Sequence, residues 1–355
     1  MEYSELGIRS EKICGSKAGL IHFQLYTLQK SKQNLKIQFF VTSLSIILFV
    51  LKFIAYFMTH SLSVLSDALE SIVNVLAGII GLYSLYVASK PKDKDHPYGH
   101  GKAEFISAAF EGSLIITAGL IILYESIITF FEPNTLHGLD NGIWILLSTA
   151  VLNMAAGLGA KAIGKKNKSL ALSSSGQHLL IDSYTTFAVT IGIGLVMYTG
   201  YKSIDAVIAI GMGLWIIYNG YKIIRESLAG IMDEADIALL EEVIAEINLS
   251  RNEKWIDLHN LRVIKYGALM HIDCHLTVPW YFNVNEAHGL VDDFTGLIKN
   301  KFGDSVEFFV HTDGCMPFSC PICTIENCTE RKSIFEKKLN WNVENVLSDN
   351  KHQLA

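Results

Sequence analysis

Between residues 37 and 229 the chain holds six apolar stretches, at about 37–58, 62–89, 103–131, 141–163, 170–199 and 204–229. Crossing a bilayer as a helix takes roughly 20 predominantly apolar residues. Each stretch is long enough, and the pattern predicts an α-helical membrane protein with six transmembrane helices. The connections carry a charge bias. Lys90, Lys92, Lys94 and Lys102 follow the second stretch, and Lys161, Lys165, Lys166 and Lys168 lie at the end of the fourth and just beyond it. Thr59–Ser61 and Glu132–Asp140 carry no Lys or Arg, and Lys202 alone follows the fifth. Cationic loops stay on the cytoplasmic side, so both termini are expected there. Residues 1–36 are polar and read as a cytoplasmic lead-in, partly helical from Ala18 to Gln33, with no cleavable signal peptide. The net charge of −6 gives no reason to expect nucleic acid as a partner.

From residue 230 the composition becomes that of an ordinary globular domain. Asp233–Leu249 places Ile237, Leu240, Val243, Ile244 and Ile247 at helical spacing. Trp255–Ile264 and Leu269–Val278 read as strands around a glycine-containing turn, Glu286–Phe302 as a helix and Ser305–His311 as a closing strand. The order α-β-β-α-β over 230–314 predicts a small α+β, ferredoxin-like cytoplasmic domain with helices on one side of its sheet. Residues 315–355 form a Cys-rich segment and a polar tail. Beyond Cys328 no periodicity is visible, and the tail is expected to be disordered or a loose helix.

Several polar residues stand inside the apolar stretches. Asp67, Glu70 and Asn74 share one face of the second, and His178 and Asp182 lie one turn apart in the fifth. An ionisable group at membrane depth costs at least ~2.5–3.5 kcal/mol and usually faces the bundle interior on an ion or proton path. Asp67 alone could equally be a helix–helix hydrogen bond. Glu70, Asn74, His178 and Asp182 together form an oxygen and nitrogen set suited to a borderline divalent metal such as zinc.

Other donors lie outside the apolar stretches. Asp93, His96 and His100 read from sequence alone as a hydrophilic turn. His271, Asp273 and His275 alternate onto one face of a strand, as surface histidines or as ligands. Cys315-x4-Cys320-x2-Cys323-x4-Cys328 centres on a chelating CxxC. Four thiolates suit a closed tetrahedral zinc site. Free or redox-active thiols and an iron–sulfur cluster are the alternatives.

Ser61–Asn74, the loop HPYGHGKAE at His96–Glu104 and His178-x3-Asp182 together resemble the cation diffusion facilitator family of divalent metal/proton antiporters. The resemblance covers about residues 38–318. It implies a transport site at the positions of Glu70, Asn74, His178 and Asp182. The fifth-helix pair matches the zinc-transporting pattern, whereas Glu70 and Asn74 depart from an Asp or His followed by Asp. It also implies a loop zinc site at Asp93, His96 and His100, and a charge interlock between Lys102 and Asp233. A further implied zinc site, at a dimer interface, uses His259, His275, His288, His311 and Asp313. Cys315 falls where bacterial relatives also have Cys, and the other three cysteines go beyond the family's pattern.

The expected protein is a homodimeric transporter in a lipid bilayer, in a bacterial inner membrane. It exports a cytoplasmic divalent cation in exchange for protons. Zinc is the first choice, with iron, cobalt, cadmium or manganese left open by Glu70 and Asn74. A membrane metalloenzyme is disfavoured because no HExxH is present. A metal sensor that does not transport is the other alternative.

Overall fold

A computed structural model describes residues 32–54, 57, 62–131, 142–199, 203–266, 269–303 and 306–354. The chain divides into two compact units, with the boundary between Met232 and Asp233. Most of the helix expected at 18–33 lies outside the described residues.

The first unit is helical: α1 (Lys32–Ile54), α2 (Leu62–Ala88), α3 (Ala103–Phe131), α4 (Gly142–Asn167), α5 (Leu170–Thr199) and α6 (Ser203–Ile231). Two bounds differ from the sequence reading. α1 begins at Lys32, inside the stretch read as a polar lead-in, because Asn34 and Gln38 are buried and turn inward. Asn167 Nδ2 donates to Asn34 Oδ1 at 2.6 Å, so α4 also runs beyond its apolar stretch. Among the described residues, Lys32–Ile54, Ala103–Ile128 and Val207–Ile231 are long and apolar enough to cross a membrane.

α3 packs along α6, and α4 along α5. A Cβ on Gly176 would lie 2.5 Å from the Lys161 nitrogen, and one on Gly164 would lie 2.6 Å from that of Ser173. Small residues of this kind let helix backbones approach closely in a bilayer, where no hydrophobic drive pushes helices together. Polar groups fill the interior. Gln38 Nε2 donates to Ser175 Oγ at 3.1 Å, and Ser174 and Ser175 donate to Glu111 at 2.6 and 2.7 Å. Apolar groups stand outside: Phe39, Ile106, Phe131, Trp144 and Tyr198 are all exposed.

The second unit contains α7 (Ile237–Leu249), β1 (Asp257–Tyr266), β2 (Leu269–Val278), α8 (Val284–Phe302) and β3 (Val306–Gly314). Asp236 caps α7 by accepting from the Leu239 amide at 3.1 Å, and Asn283 with Glu286 forms a capping box on α8. The sheet order is β1-β2-β3, with β1 antiparallel and β3 parallel to β2. Leu240, Val243, Ile247, Leu258, Ile272, Leu276, Phe294 and Ile298 make the core between helices and sheet.

The tail is a correction to the sequence reading. Residues 329–354 are described and pack on this core, with a short helix α9 (Val343–Val346). Trp341 and Val346 are buried in it. Arg251 stacks over the Trp341 ring at 3.6 Å, and Asn248 Nδ2 donates to the Trp341 carbonyl at 2.7 Å. Two anchors separated by polar residues leave no period to read, which is why the segment looked structureless.

Candidate metal sites

In the first unit, α5 carries Asp182, buried, one turn beyond His178. Asn153 Nδ2 of α4 donates to Asp182 Oδ2 at 2.6 Å. Thr185 and Thr186 bond the Asp182 carbonyl, so their hydroxyls stay on the helix backbone. His178 Nδ1 is buried without a hydrogen-bond partner among the described residues. His178, Asp182 and Thr185 line a cavity of about 20 Å³ with Ile115, Ile181 and Ile216. A pocket of that size accommodates about one water or ion. Asn74 is buried in α2, which packs against α5. The side chains of Asp67 and Glu70 lie outside the described residues. Sequence reading missed Asn153, although an amide within the apolar stretch 141–163 carried the same signal as Asn74.

The loop between α2 and α3 folds around Asp93. Its Oδ1 accepts from the His96 amide at 2.7 Å and the Asp95 amide at 3.1 Å. The His96 amide foremost holds the Asp93 carboxyl below the usual carboxylate value against desolvation, with the rings of His96 and His100 adding to the effect. His96 Nδ1 stands 3.1 Å from Oδ1 and His100 Nε2 3.3 Å from Oδ2. Gly99, at φ +92°, lets the chain reverse between the two histidines. One donor atom from each of Asp93, His96 and His100 lies within 4.8 Å of the others. A tight turn and a chelating geometry coincide here.

In the second unit the sheet register gathers a second group. His259 of β1 pairs with His275 of β2, which pairs with His311 of β3. Asp313 Oδ2 lies 3.1 Å from His275 Nδ1 and 3.5 Å from His259 Nε2, and these three residues also converge within 4.8 Å. His311 stands farther out, its Nε2 4.0 Å from Asp313 Oδ1. His288 does not join the group: it is exposed on α8, 3.8 Å from Asp292. His271 turns to Asp273 at 2.9 Å instead.

Groups around the trio tune it. Burial pushes the His259 imidazole toward its neutral, metal-binding form, against the opposing pull of Asp257 and Asp313. Burial raises Asp313, but Lys351, 3.3 Å from its Oδ1, and His275 outweigh it and hold the carboxyl low. Asp257 lies behind His259 at 3.6 Å and accepts from His352 Nδ1 at 2.6 Å. Asp257, Lys351 and His352 were not singled out from sequence. The two tail residues could not be, because nothing local ties them to the sheet.

Cys315, Cys320, Cys323 and Cys328 are free thiols around one cavity of about 410 Å³. Burial raises the Cys315 and Cys323 thiols, and the neighbouring cysteines add to the effect. Among the described residues the groups of three or more donors converging within 4.8 Å are the loop and sheet trios, and the thiols form no such group.

Residues 39–232 match the cation efflux transmembrane domain, and residues 234–315 match the cytoplasmic domain of cation efflux proteins. The chain belongs to the cation efflux family. An uncharacterized transporter of Synechocystis sp. is 32% identical over 72% of this chain and 82% of its own length. The cation-efflux pump FieF of Pectobacterium atrosepticum is 26% identical over 77% of this chain and 90% of its own length. That of Salmonella paratyphi A is 25% identical over 77% and 90%. As a cation efflux protein the chain is an integral membrane transporter of divalent metal cations, not an enzyme. The helical unit and the small-sheet unit correspond to the family's two domains.

Proposed function

We propose that this cation efflux protein exports zinc from the cytoplasm in exchange for protons, as a homodimer in a bacterial inner membrane with both termini cytoplasmic. Iron, cobalt, cadmium and manganese are the competing cargoes, because Glu70 and Asn74 depart from the zinc-type pattern. The observation that carries the reading is the α5 pair. Asp182 is buried, oriented by Asn153 at 2.6 Å, and shares an ion-sized cavity with His178. A buried carboxylate one turn from an imidazole inside a bundle is a donor pair for which metal and protons compete. Ligands must be deprotonated to bind metal, so a proton gradient drives release on the acidic side.

The transport site on this reading is Glu70, Asn74, His178 and Asp182, with Asp67 nearby and Asn153 as the residue that positions Asp182. The domain plan is 1–36 lead-in, 37–229 six spans, 230–314 ferredoxin-like dimerisation domain and 315–355 Cys-rich segment and tail. Asp93, His96 and His100 form a loop site. His259, His275 and Asp313, with His311, form a site where bound metal links domains, and the exposed His288 would serve it from a partner subunit. Alternating access would expose the central site to each side in turn. The test is a panel of metal fluxes in proteoliposomes with an imposed pH gradient. Zinc flux that follows the gradient is expected. Flux indifferent to the gradient removes proton exchange, and a stronger flux of another metal replaces zinc.

A further inference from the structure

We propose that Cys315, Cys320, Cys323 and Cys328 hold an iron–sulfur cluster. The site is separate from the three metal sites above and does not rest on the transport reading. Its first support is that the four thiols line one cleft, yet among the described residues no three of them converge within 4.8 Å. A single zinc ion binds thiolates at ~2.3 Å, which draws tetrahedral sulfurs to roughly 3.8 Å apart. The sheet trio converges in the manner a single ion requires, while the thiols stand around a void. That cleft, about 410 Å³ and lined also by residues such as Trp280, Tyr281 and Arg331, has room for more than a single ion. Thiols spread around so large a space suit a polynuclear centre.

Sequence and surroundings agree. Cys315-x4-Cys320-x2-Cys323 followed by a fourth Cys is one of the spacings by which thiolates hold iron–sulfur clusters. Ile256, Trp280 and Met316 wall the cavity with apolar surface. Hydrogen bonds to the sulfurs, which tune such clusters, are in place. The Lys332 amide donates to Cys320 Sγ at 3.4 Å, and Tyr281 Oη lies 3.6 Å from Cys328 Sγ. Arg331 fixes the frame by donating to the carbonyls of Cys320 at 3.0 Å, Cys323 at 3.1 Å and Ile325 at 2.6 Å. It also sets a positive charge beside a centre that four thiolates make anionic. On binding, the four thiols release their protons and iron and sulfide come from the medium.

The test uses the full-length chain, purified in detergent without oxygen from cells supplied with iron. Expected are iron and acid-labile sulfide in equal amounts, more than one iron per chain, and thiolate-to-iron absorption in the visible range. Cys320→Ser with Cys323→Ser should remove the sulfide and the absorption. Should that variant not fold, Cys328→Ser serves: a shifted visible spectrum or lost sulfide supports the cluster. Zinc without sulfide, iron without sulfide, or no metal in the wild-type chain overturns the proposal. So does a Cys328→Ser protein with the wild-type spectrum and sulfide.

Discussion

The two units bury opposite things. In residues 32–231 the interior holds Glu111, Gln38, Ser175 and Asp182, and the outside shows Phe131, Trp144 and Tyr198. From Asp233 onward Phe294, Leu258 and Ile298 are inside, and His288 and Asp292 face out. One chain thus folds for two solvents. Lipid is as apolar as a leucine, so the helical unit has no hydrophobic drive to hide apolar groups; it packs some of them, such as Ile115, Ile181 and Ile216, and gathers its polar ones. Water reverses this, and the second unit folds around apolar burial. Metal donors are buried in both units: Asp182 and Asn74 in the helices, His259 on the sheet.

The largest expected effect breaks the polar interior. Asp182→Ala should abolish metal flux in proteoliposomes while leaving membrane insertion intact, and wild-type flux would remove Asp182 from the transport site. Next comes the apolar interior. Trp341→Ala should destabilise the second unit by ~3–5 kcal/mol, as large aromatic-to-alanine changes do. Tyr198→Ala, on the lipid-facing side of α5, should cost far less, and comparing the two melting temperatures in detergent measures the contrast. Equal losses would mean that the units do not differ as described.

Asn74→Asp adds a carboxylate to the helical interior. It should change metal preference or the pH dependence of flux, read by fluxes of several metals across pH, and identical profiles would place residue 74 outside the site. A smaller effect is expected at Lys351, whose ammonium is 3.3 Å from Asp313 Oδ1. A partly exposed pair of this kind contributes about 0–1 kcal/mol. Lys351→Met should therefore tighten zinc binding at His259, His275 and Asp313 only a few-fold, measured by calorimetry on the Cys320→Ser/Cys323→Ser background.

The smallest effect is a pH dependence. Hydrogen bonding to Asp257 raises His352 above its ordinary 6.5, despite partial burial. The folded state therefore favours the proton. The contribution is fully present below the unfolded value of about 6.5 and is lost as pH rises through the raised folded value. Hydrogen exchange at residues 348–354 should accelerate across that window, and His352→Gln should remove the dependence.

Periodicity and local spacing determined a good deal without coordinates. Apolar stretches foretold the long helices. The α-β-β-α-β order followed from 3.6- and 2-residue periods. The turn at Asp93–His100 was written within eight residues. Such features depend on neighbours in the chain, which a linear reading sees.

What only the tertiary structure decided lies in contacts between distant segments. Asn153 meets Asp182 because α4 and α5 lie close enough for glycines to touch backbone. His259 and His275 meet because β1 and β2 pair in that register, with a bulge after His259. Lys351 and His352 reach Asp313 and Asp257 because Trp341 and Val346 anchor the tail in the core. Cys315, Cys320, Cys323 and Cys328 come to line one cavity together with Trp280 and Ile256. Helix rotation, strand register and the path of an aperiodic tail are set by packing across the whole unit, and no local pattern of residue types encodes them.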